Sequence, residues 1–139
     1  GGIFLNNILA KNLVDTGNAA GAKESLAWVA TQSKDDGLKN LARLRLASVL
    51  MDEKNYADAL QQLSGAAPVE FEGVFADRRG DVYLLQGKRA EAIAEYTKAY
   101  KSWEENVEYR RLVQVKLEAL GASPQTAVTV ASSSPDVVN

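Results

Sequence analysis

The chain has 139 residues, of which 46% are hydrophobic and 24% charged, a size and composition typical of one soluble domain that folds without disulfides or metals. Its 16 basic and 18 acidic residues are interspersed and give a net charge of −2, so no basic surface is expected that could neutralise nucleic acid or anionic lipid. The absence of Cys and His removes thiol nucleophiles, imidazole proton transfer and the commonest transition-metal ligands. We therefore expect no catalytic residue, no metal site and no cofactor.

Apolar residues recur at helical spacing along most of the chain and predict seven helices. The first hairpin covers residues 3–14 and 19–31, the second 38–52 and 56–66, the third 74–86 and 89–103, and a seventh helix covers 107–120. Pro68 is expected to end the second hairpin, and Gly87 to form the turn within the third. The unpaired seventh helix is expected to cap the last apolar face of the array.

One nine-residue run occurs twice, at residues 55–63 and 88–96, a spacing of 33 residues. A period near 34 residues is typical of stacked helical hairpins. Such arrays present a concave surface to other proteins and need no chemistry of their own. The duplicated run therefore favours a protein-binding function.

The two copies resemble the tetratricopeptide pattern, in which small and aromatic side chains meet where paired helices cross. The matching positions are Ala47, Leu50, Tyr56, Ala59, Leu63 and Ala66 in the second hairpin, and Gly80, Tyr83, Gly87, Ala92, Tyr96 and Ala99 in the third. The resemblance implies an all-α fold, a tetratricopeptide-like right-handed helical solenoid of about three hairpins with a C-terminal capping helix. It assigns residues 1–120 to this domain, with a degenerate first hairpin.

Residues 121–139 form a compositionally distinct C-terminal tail. They are rich in Ser, Thr, Pro and Val, carry one charged side chain at Asp136, and show no helical period. We expect a mobile terminus of low regular structure. The run Val128-Thr129-Val130 leaves open that the tail pairs as a strand or lies in a groove of the domain.

The repeat register indicates which side chains line the groove, because the first helix of each tetratricopeptide hairpin faces inward. The predicted protein-binding groove is lined by Leu41, Leu44, Ser48 and Met51 in the second hairpin, and by Val74, Asp77, Asp81 and Leu84 in the third. Domains of this kind that clamp acidic chain termini carry Lys and Asn at such positions, so a carboxylate clamp is disfavoured. The lining suits an extended or helical segment with apolar and basic residues, and the chain's own tail is another candidate occupant.

Charged residues crowd one helix at Asp77, Arg78, Arg79 and Asp81. Two carboxylates four residues apart could serve acid–base chemistry or bind a cation. However, the chain has no His, and the Arg neighbours should keep both carboxylates ionised. We therefore expect an ion-pair network, within this helix or between helices.

Acidic and aromatic residues elsewhere allow a binding role as well as a structural one. The acidic residues are Glu104, Glu105 and Glu108. We expect them to complement the dipole at the start of the seventh helix, and the alternative is that they bind a basic partner. Trp28 and Trp103 could anchor a partner, but packing between hairpins is favoured. Tyr83, Tyr96 and Tyr100 occupy repeat positions and are expected in the core.

A closer resemblance covers residues 8–120. It rests on Val14-Asp15, Leu38-Lys39, Leu44-Arg45-Leu46-Ala47, the run from Ala76 to Asp81, and Gly87-Lys88. Together these motifs are similar to the periplasmic domain of the YfgM-like family, the ancillary subunits of the bacterial Sec translocon. The most specific element is Asp-x-Arg-Gly-Asp at residues 77–81.

The resemblance implies a domain held at the periplasmic face of the bacterial inner membrane by one N-terminal helix, its only membrane contact. Its partners would be translocon subunits, periplasmic chaperones or exported client segments, and some members are described as negative regulators of an envelope stress response. The chain begins without Met inside an apolar pattern, which indicates a fragment cut after such an anchor.

Two functions from different classes follow. The first is a non-enzymatic interaction module that holds a protein near a translocon or chaperone. The second is a structural or assembly domain that forms a homodimer, through the first hairpin or by exchange of the tail. An enzyme is the least expected class.

Overall fold

Six α-helices make up most of the described chain. The computed structural model describes residues 19–104 and 106–122, and these ranges contain no β-strand. The helices are α1 (Ala19–Gln32), α2 (Asp36–Asp52), α3 (Tyr56–Leu63), α4 (Val69–Leu85), α5 (Arg89–Ser102) and α6 (Val107–Ala119). The prediction of an all-α fold is confirmed. The predicted first helix and the tail from residue 123 lie outside the described residues.

Four helices match their predicted bounds within two residues, but the prediction is wrong where α3 ends and α4 begins. α3 stops at Leu63 because Ser64 is extended and Gly65 has φ +83°. α4 begins at Val69, directly after Pro68, whose fixed φ and missing N–H suit the residue that precedes a helix. Pro68 therefore marks the start of α4 as well as the end of the preceding hairpin.

The described chain divides into two compact units, and the first contains α1 to α3 within residues 1–68. α2 packs against both α1 and α3. The buried apolar side chains of this unit are Ala22, Leu26, Val29, Ala30, Ala42, Leu46, Ala47, Val49, Leu50, Ala59 and Leu63. Because five of these eleven are Ala, the helix axes can approach closely.

The second unit, within residues 69–139, contains α4 to α6. α5 packs against both α4 and α6. The core cluster of the second unit is Ala76, Ala92, Ile93, Tyr96, Ala99, Val113, Leu117 and Ala122, with Tyr83, Tyr100, Trp103 and Leu120 packed against it. The core positions expected for Tyr83, Tyr96 and Tyr100 are confirmed, with Tyr96 fully buried and the other two partly exposed.

One type of turn ends α2, α4 and α6. Each contains a residue with positive φ: Lys54 (63°), Gly87 (76°) or Gly121 (80°). The next backbone N–H then donates to a carbonyl five residues earlier: Asn55 to Leu50 (2.8 Å), Lys88 to Tyr83 (2.8 Å) and Ala122 to Leu117 (2.9 Å). This is the Schellman geometry. The three turns recur at spacings of 33 (54 to 87) and 34 (87 to 121) residues, so the sequence repeat is also a repeat of backbone conformation.

Most repeat positions lie where the pattern predicts them. Ala59 and Ala92 are fully buried, and so are Leu63 and Tyr96, which occupy equivalent positions in α3 and α5. Ala66 is the exception, because α3 ends before it and leaves it exposed.

Two glycines of α4 accept aromatic rings at close range. A Cβ at Gly80 would lie 2.5 Å from Cε1 of Tyr96, and a Cβ at Gly73 would lie 2.6 Å from Cε2 of Trp103. Real Cβ contacts are not this short, so any larger residue would force a ring or a helix to move. The prediction that the helices approach most closely at Gly80 is supported by this contact.

Gly80→Ala is expected to lower the free energy of unfolding by about 1–3 kcal/mol, because the new methyl group overlaps the buried ring of Tyr96. Urea unfolding followed by circular dichroism measures the change. Gly37→Ala is the matched control: it adds the same methyl group in the first turn of α2, where the nearest atom is the Asp35 carboxylate at 3.2 Å. Equal destabilisation by the two variants would contradict the prediction.

Candidate protein-binding site

In the first unit the predicted site residues Leu41, Leu44, Ser48 and Met51 form a stripe on α2, here called the α2 face. Their spacing of three and four residues places them on one side of the helix. Ser48 is exposed and its hydroxyl donates to the Leu44 carbonyl at 3.2 Å, whereas the other three side chains are partly buried. The α2 face therefore offers a largely apolar strip with one exposed hydroxyl.

In the second unit the predicted site residues Val74, Asp77, Asp81 and Leu84 form a stripe on α4, here called the α4 face. These residues span the range from buried to exposed: Asp77 is 3% exposed, Val74 and Asp81 are partly buried, and Leu84 is 44% exposed. Leu84 is therefore the member of this face that offers most of its surface to a partner.

The two carboxylates of the α4 face bind one lysine of α6. Nζ of Lys116 lies 2.9 Å from Oδ1 of Asp77 and 3.1 Å from Oδ1 of Asp81. The Lys116 side chain is only 26% exposed, so this pair of contacts is partly shielded from water. The predicted ion-pair network is confirmed, and it joins α4 to α6.

Two further residues complete the network of Asp77 and Asp81. The Tyr96 hydroxyl, from α5, donates to Oδ1 of Asp81 at 2.6 Å. Nη1 of Arg78 lies 3.2 Å from Oδ2 of Asp77 and 3.8 Å from Oδ2 of Asp81. Burial raises the pKa of the Tyr96 hydroxyl, and its hydrogen bond to Asp81 raises that pKa further, so the hydroxyl remains a proton donor.

Burial has a larger effect on the pKa of Asp77 than the neighbouring Arg78. Burial raises the pKa of Asp77, and the hydrogen bond and charge of Lys116 lower it only in part. Asp81 raises this pKa as well, whereas Arg78 lowers it. Arg78 therefore favours the ionised form of Asp77, as predicted, but it does so less than Lys116, which lies 39 residues away in sequence.

A second ion pair links α4 to α5 without involving the predicted site. Nε of Arg79 donates to Oε2 of Glu95 at 2.7 Å, and Nζ of Lys98 lies 3.0 Å from Oε1 of the same carboxylate. Glu95 is 8% exposed, and its two cations offset the free-energy cost of burying its carboxylate. The four charged residues singled out from sequence thus belong to two networks, with Arg79 in the second.

The two tryptophans differ in their surroundings. Trp103 packs against the second unit's core and Gly73, and its ring stacks on Tyr109 with centroids 4.6 Å apart. The predicted packing role is confirmed for Trp103. It is wrong for Trp28, which is 45% exposed on α1.

The start of α6 is capped by Asn106, which was not among the predicted capping residues. The side chain of Asn106 accepts a hydrogen bond from the Tyr109 backbone N–H at 3.3 Å. Glu108 lies in the first turn as predicted, Glu104 is exposed ahead of the helix, and Glu105 lies outside the described residues. An Asn before an apolar helical run is a usual N-cap signal that could have identified the cap.

The acidic side chains of the described residues are dispersed or already paired. Within residues 19–104 and 106–122, no three acidic side chains are grouped so that they could hold a metal ion. The carboxylates of the α4 face are already bound by Lys116, Arg78 and Tyr96. Leu84, beside these carboxylates, is 44% exposed.

Paired helices, a backbone repeat of 33–34 residues and small-to-aromatic crossings define a tetratricopeptide-like helical repeat protein. The family described as "Tetratricopeptide repeat-like domain" matches residues 4–122, and the chain belongs to this family. The predicted fold class is thereby confirmed. None of the helices in the described ranges combines the length and the apolar character needed to cross a membrane.

Among curated proteins, the chain is similar to the "Ancillary SecYEG translocon subunit" of Neisseria gonorrhoeae. The two are 34% identical over 99 residues, which is 71% of this chain and 47% of that protein. The chain therefore spans about half the length of this curated relative. The resemblance drawn from the sequence motifs is confirmed by this match. No solved structure gives a significant match to the chain.

Lys116→Met is expected to lower the free energy of unfolding by about 3 kcal/mol, because it leaves the buried Asp77 carboxylate without its main cation. Thermal and urea unfolding measure the loss. Lys98→Met is the matched control: Lys98 is 66% exposed and its partner Glu95 keeps Arg79, so a change below about 1 kcal/mol is expected. A loss no larger than that of the control would contradict a stabilising role for Lys116.

The raised pKa of Asp77 makes stability depend on pH in a defined direction. A group whose pKa is higher in the folded state favours folding while protonated, and this contribution is lost as the pH rises through the folded pKa. The stability of the unmodified chain relative to Asp77→Asn should therefore fall as the pH rises from about 4, the ordinary aspartate value.

Urea unfolding of both proteins across this pH range tests the prediction, because other carboxylates cancel in the difference. Asp58→Asn, at an exposed position of α3, controls for the loss of one negative charge. A difference that stays constant or grows with pH would contradict the prediction.

Proposed function

We propose that this chain is a non-enzymatic protein-interaction module that binds apolar segments of partner proteins through the α2 face and the α4 face. The observation that carries the proposal is the position of Leu84, an exposed leucine one helical turn beyond the Asp81 network. Membership of the tetratricopeptide repeat-like family supports it, since such arrays present the first helix of each hairpin to their partners.

Charge balance on the α4 face favours an apolar partner. Two carboxylates, Asp77 and Asp81, meet two cations, Arg78 and Lys116, so two negative charges and two positive charges leave no net charge. A strongly basic segment therefore gains little long-range attraction here. Covering Leu84 removes apolar surface from water whatever the charge of the partner.

The α2 face suits the same kind of segment. Leu41 and Leu44 offer partly buried branched surface, and Met51 adds an unbranched thioether that adapts to different apolar shapes. A helix with apolar residues at three- and four-residue spacing, or an extended strand with alternate apolar residues, fits these stripes.

We place this module beside the Sec translocon, at the periplasmic face of the bacterial inner membrane. The support is the similarity to an ancillary SecYEG translocon subunit, together with the family motifs in the sequence. In this proposal the bound segments belong to translocon subunits, periplasmic chaperones or exported clients, and such contacts allow the module to modulate envelope stress signalling. Anchoring by an N-terminal helix is part of the same proposal.

Leu84→Glu should weaken binding to the SecYEG translocon about tenfold or more, because it buries a charge where the proposed contact is apolar. The measurement is biolayer interferometry with purified SecYEG, from the organism that encodes this chain, held in lipid nanodiscs. Val69→Glu is the matched control, since Val69 is 76% exposed but lies at the opposite end of α4, outside the α4 face.

The comparison of the two variants gives a clear outcome. Loss of binding in Leu84→Glu with retention in Val69→Glu supports the α4 face as the contact. Equal affinity in both variants and the unmodified chain would remove the α4 face from the proposal, and no binding by the unmodified chain would remove the translocon.

A further inference from the structure

The terminal helix α6 carries apolar side chains on the side that faces away from its unit. Leu112 is 50% exposed and Val115 is 57% exposed, and Ala119 is exposed as well. Their spacing of three and four residues places them on one stripe, here called the outer stripe. The last helix of a repeat array normally has a polar outer face that keeps the end soluble. α6 departs from that pattern.

The outer stripe is distinct from the side of α6 that packs in the unit. Val113 and Leu117 are fully buried in the core cluster, and Lys116 binds the carboxylates of α4. On a helix, Leu112 and Val115 lie well away from the direction of Val113 and Leu117. The core and the ion network therefore do not account for the apolar character of the outer stripe.

Two opposite charges flank the outer stripe on one side. Arg111 and Glu118 are both exposed and lie seven residues apart, two turns along the same edge. Glu118 accepts a hydrogen bond from Nε2 of Gln114 at 3.0 Å. Arg111 forms no ion pair within residues 19–104 and 106–122. Arg111 and Glu118 thus place a positive and a negative charge near opposite ends of the outer stripe.

We propose that α6 pairs with α6 of a second copy of this chain, antiparallel, through the outer stripe. If the two-fold axis passes between Gln114 and Val115, position 114 of one copy lies opposite position 115 of the other. Moving three residues outward in each direction then places Arg111 opposite Glu118 of the second copy. Each Arg111 faces Glu118 of the other copy, and the pair forms twice. A parallel pairing would instead set Arg111 against Arg111, so the charges select the antiparallel arrangement.

The apolar residues fit the same axis. Leu112 lies opposite position 117 of the second copy, between its Val115 and Ala119, and the two Val115 side chains meet next to the axis. The contact involves one helix per copy, so it is smaller than a standard interface and makes a reversible dimer that depends on concentration.

Sedimentation equilibrium of the 139-residue chain at concentrations up to about 1 mM tests the pairing, a range suited to a small interface. The average mass should rise toward that of a dimer, and Val115→Glu should abolish the rise. Val69→Glu is the matched control: Val69 is 76% exposed on α4, so the same change there should leave the dimer intact. A monomer at every concentration, or equal effects of the two variants, overturns the proposal.

A charge exchange tests the antiparallel geometry. Arg111→Glu and Glu118→Arg should each weaken the dimer about tenfold or more, because each creates two like-charge contacts across the axis. The double variant should restore the affinity, since the opposite charges meet again with their positions exchanged. Failure of the double variant to recover overturns the antiparallel pairing even if the chain dimerises.

Removal of residues 123–139 distinguishes a second copy from the chain's own tail as occupant. If the tail covered the outer stripe, the full chain would stay monomeric and the shortened chain would dimerise, which overturns the proposal for the full chain. Dimers of similar affinity with and without the tail support it. The result is independent of the translocon proposal, because the dimer is measured without a partner and the outer stripe shares no residue with the α2 and α4 faces.

Discussion

The tight crossing of α4 and α5 is the contact on which the second unit depends. Gly80 leaves room for the ring of Tyr96, and the hydroxyl at the far end of that ring donates to Asp81. Asp81 shares Lys116 with Asp77, so the position of the ring also positions the carboxylates that bind α6. A side chain at position 80 would displace the ring and, with it, the hydrogen bond that orients Asp81. One missing Cβ therefore supports contacts among three helices.

The ionic network positions α6 more than it stabilises the fold. Burying a carboxylate such as Asp77 is costly, as its raised pKa reflects, and the attraction of Lys116 offsets that cost without a large surplus. A translation of α6 by one turn would move the ammonium about 5 Å along the helix axis, beyond hydrogen-bond distance of Asp77 and Asp81. The network thus specifies the register of α6, while apolar contacts of Val113 and Leu117 supply most of the stabilising free energy.

Much of the fold was predictable because helical periodicity and the duplicated run are local properties of the sequence. The close crossing at Gly80 was expected from the tetratricopeptide register, since small residues let two helices approach, but the sequence did not identify Tyr96 as the ring that fills the space. The start of α4 after Pro68 was harder to predict, because a proline that follows one helix can equally precede the next. The partnership of Lys116 with Asp77 was missed because the two are 39 residues apart, and charge spacing within one helix gives no information about a pairing between helices.

Charges that already have partners limit what the exposed surface can recognise. The side chain of Asp81 is 25% exposed, but a basic group of a binding protein would compete with Lys116 and Tyr96 for its oxygens and gain little net free energy. Covering Leu84 needs no such exchange, because the leucine side chain gives up only contact with water. The same holds for Val115 on the outer stripe of α6, whose exposed side chain also gives up only contact with water when it is covered. In both proposed contacts apolar area would therefore supply the affinity, and charged residues would determine the orientation of the partner.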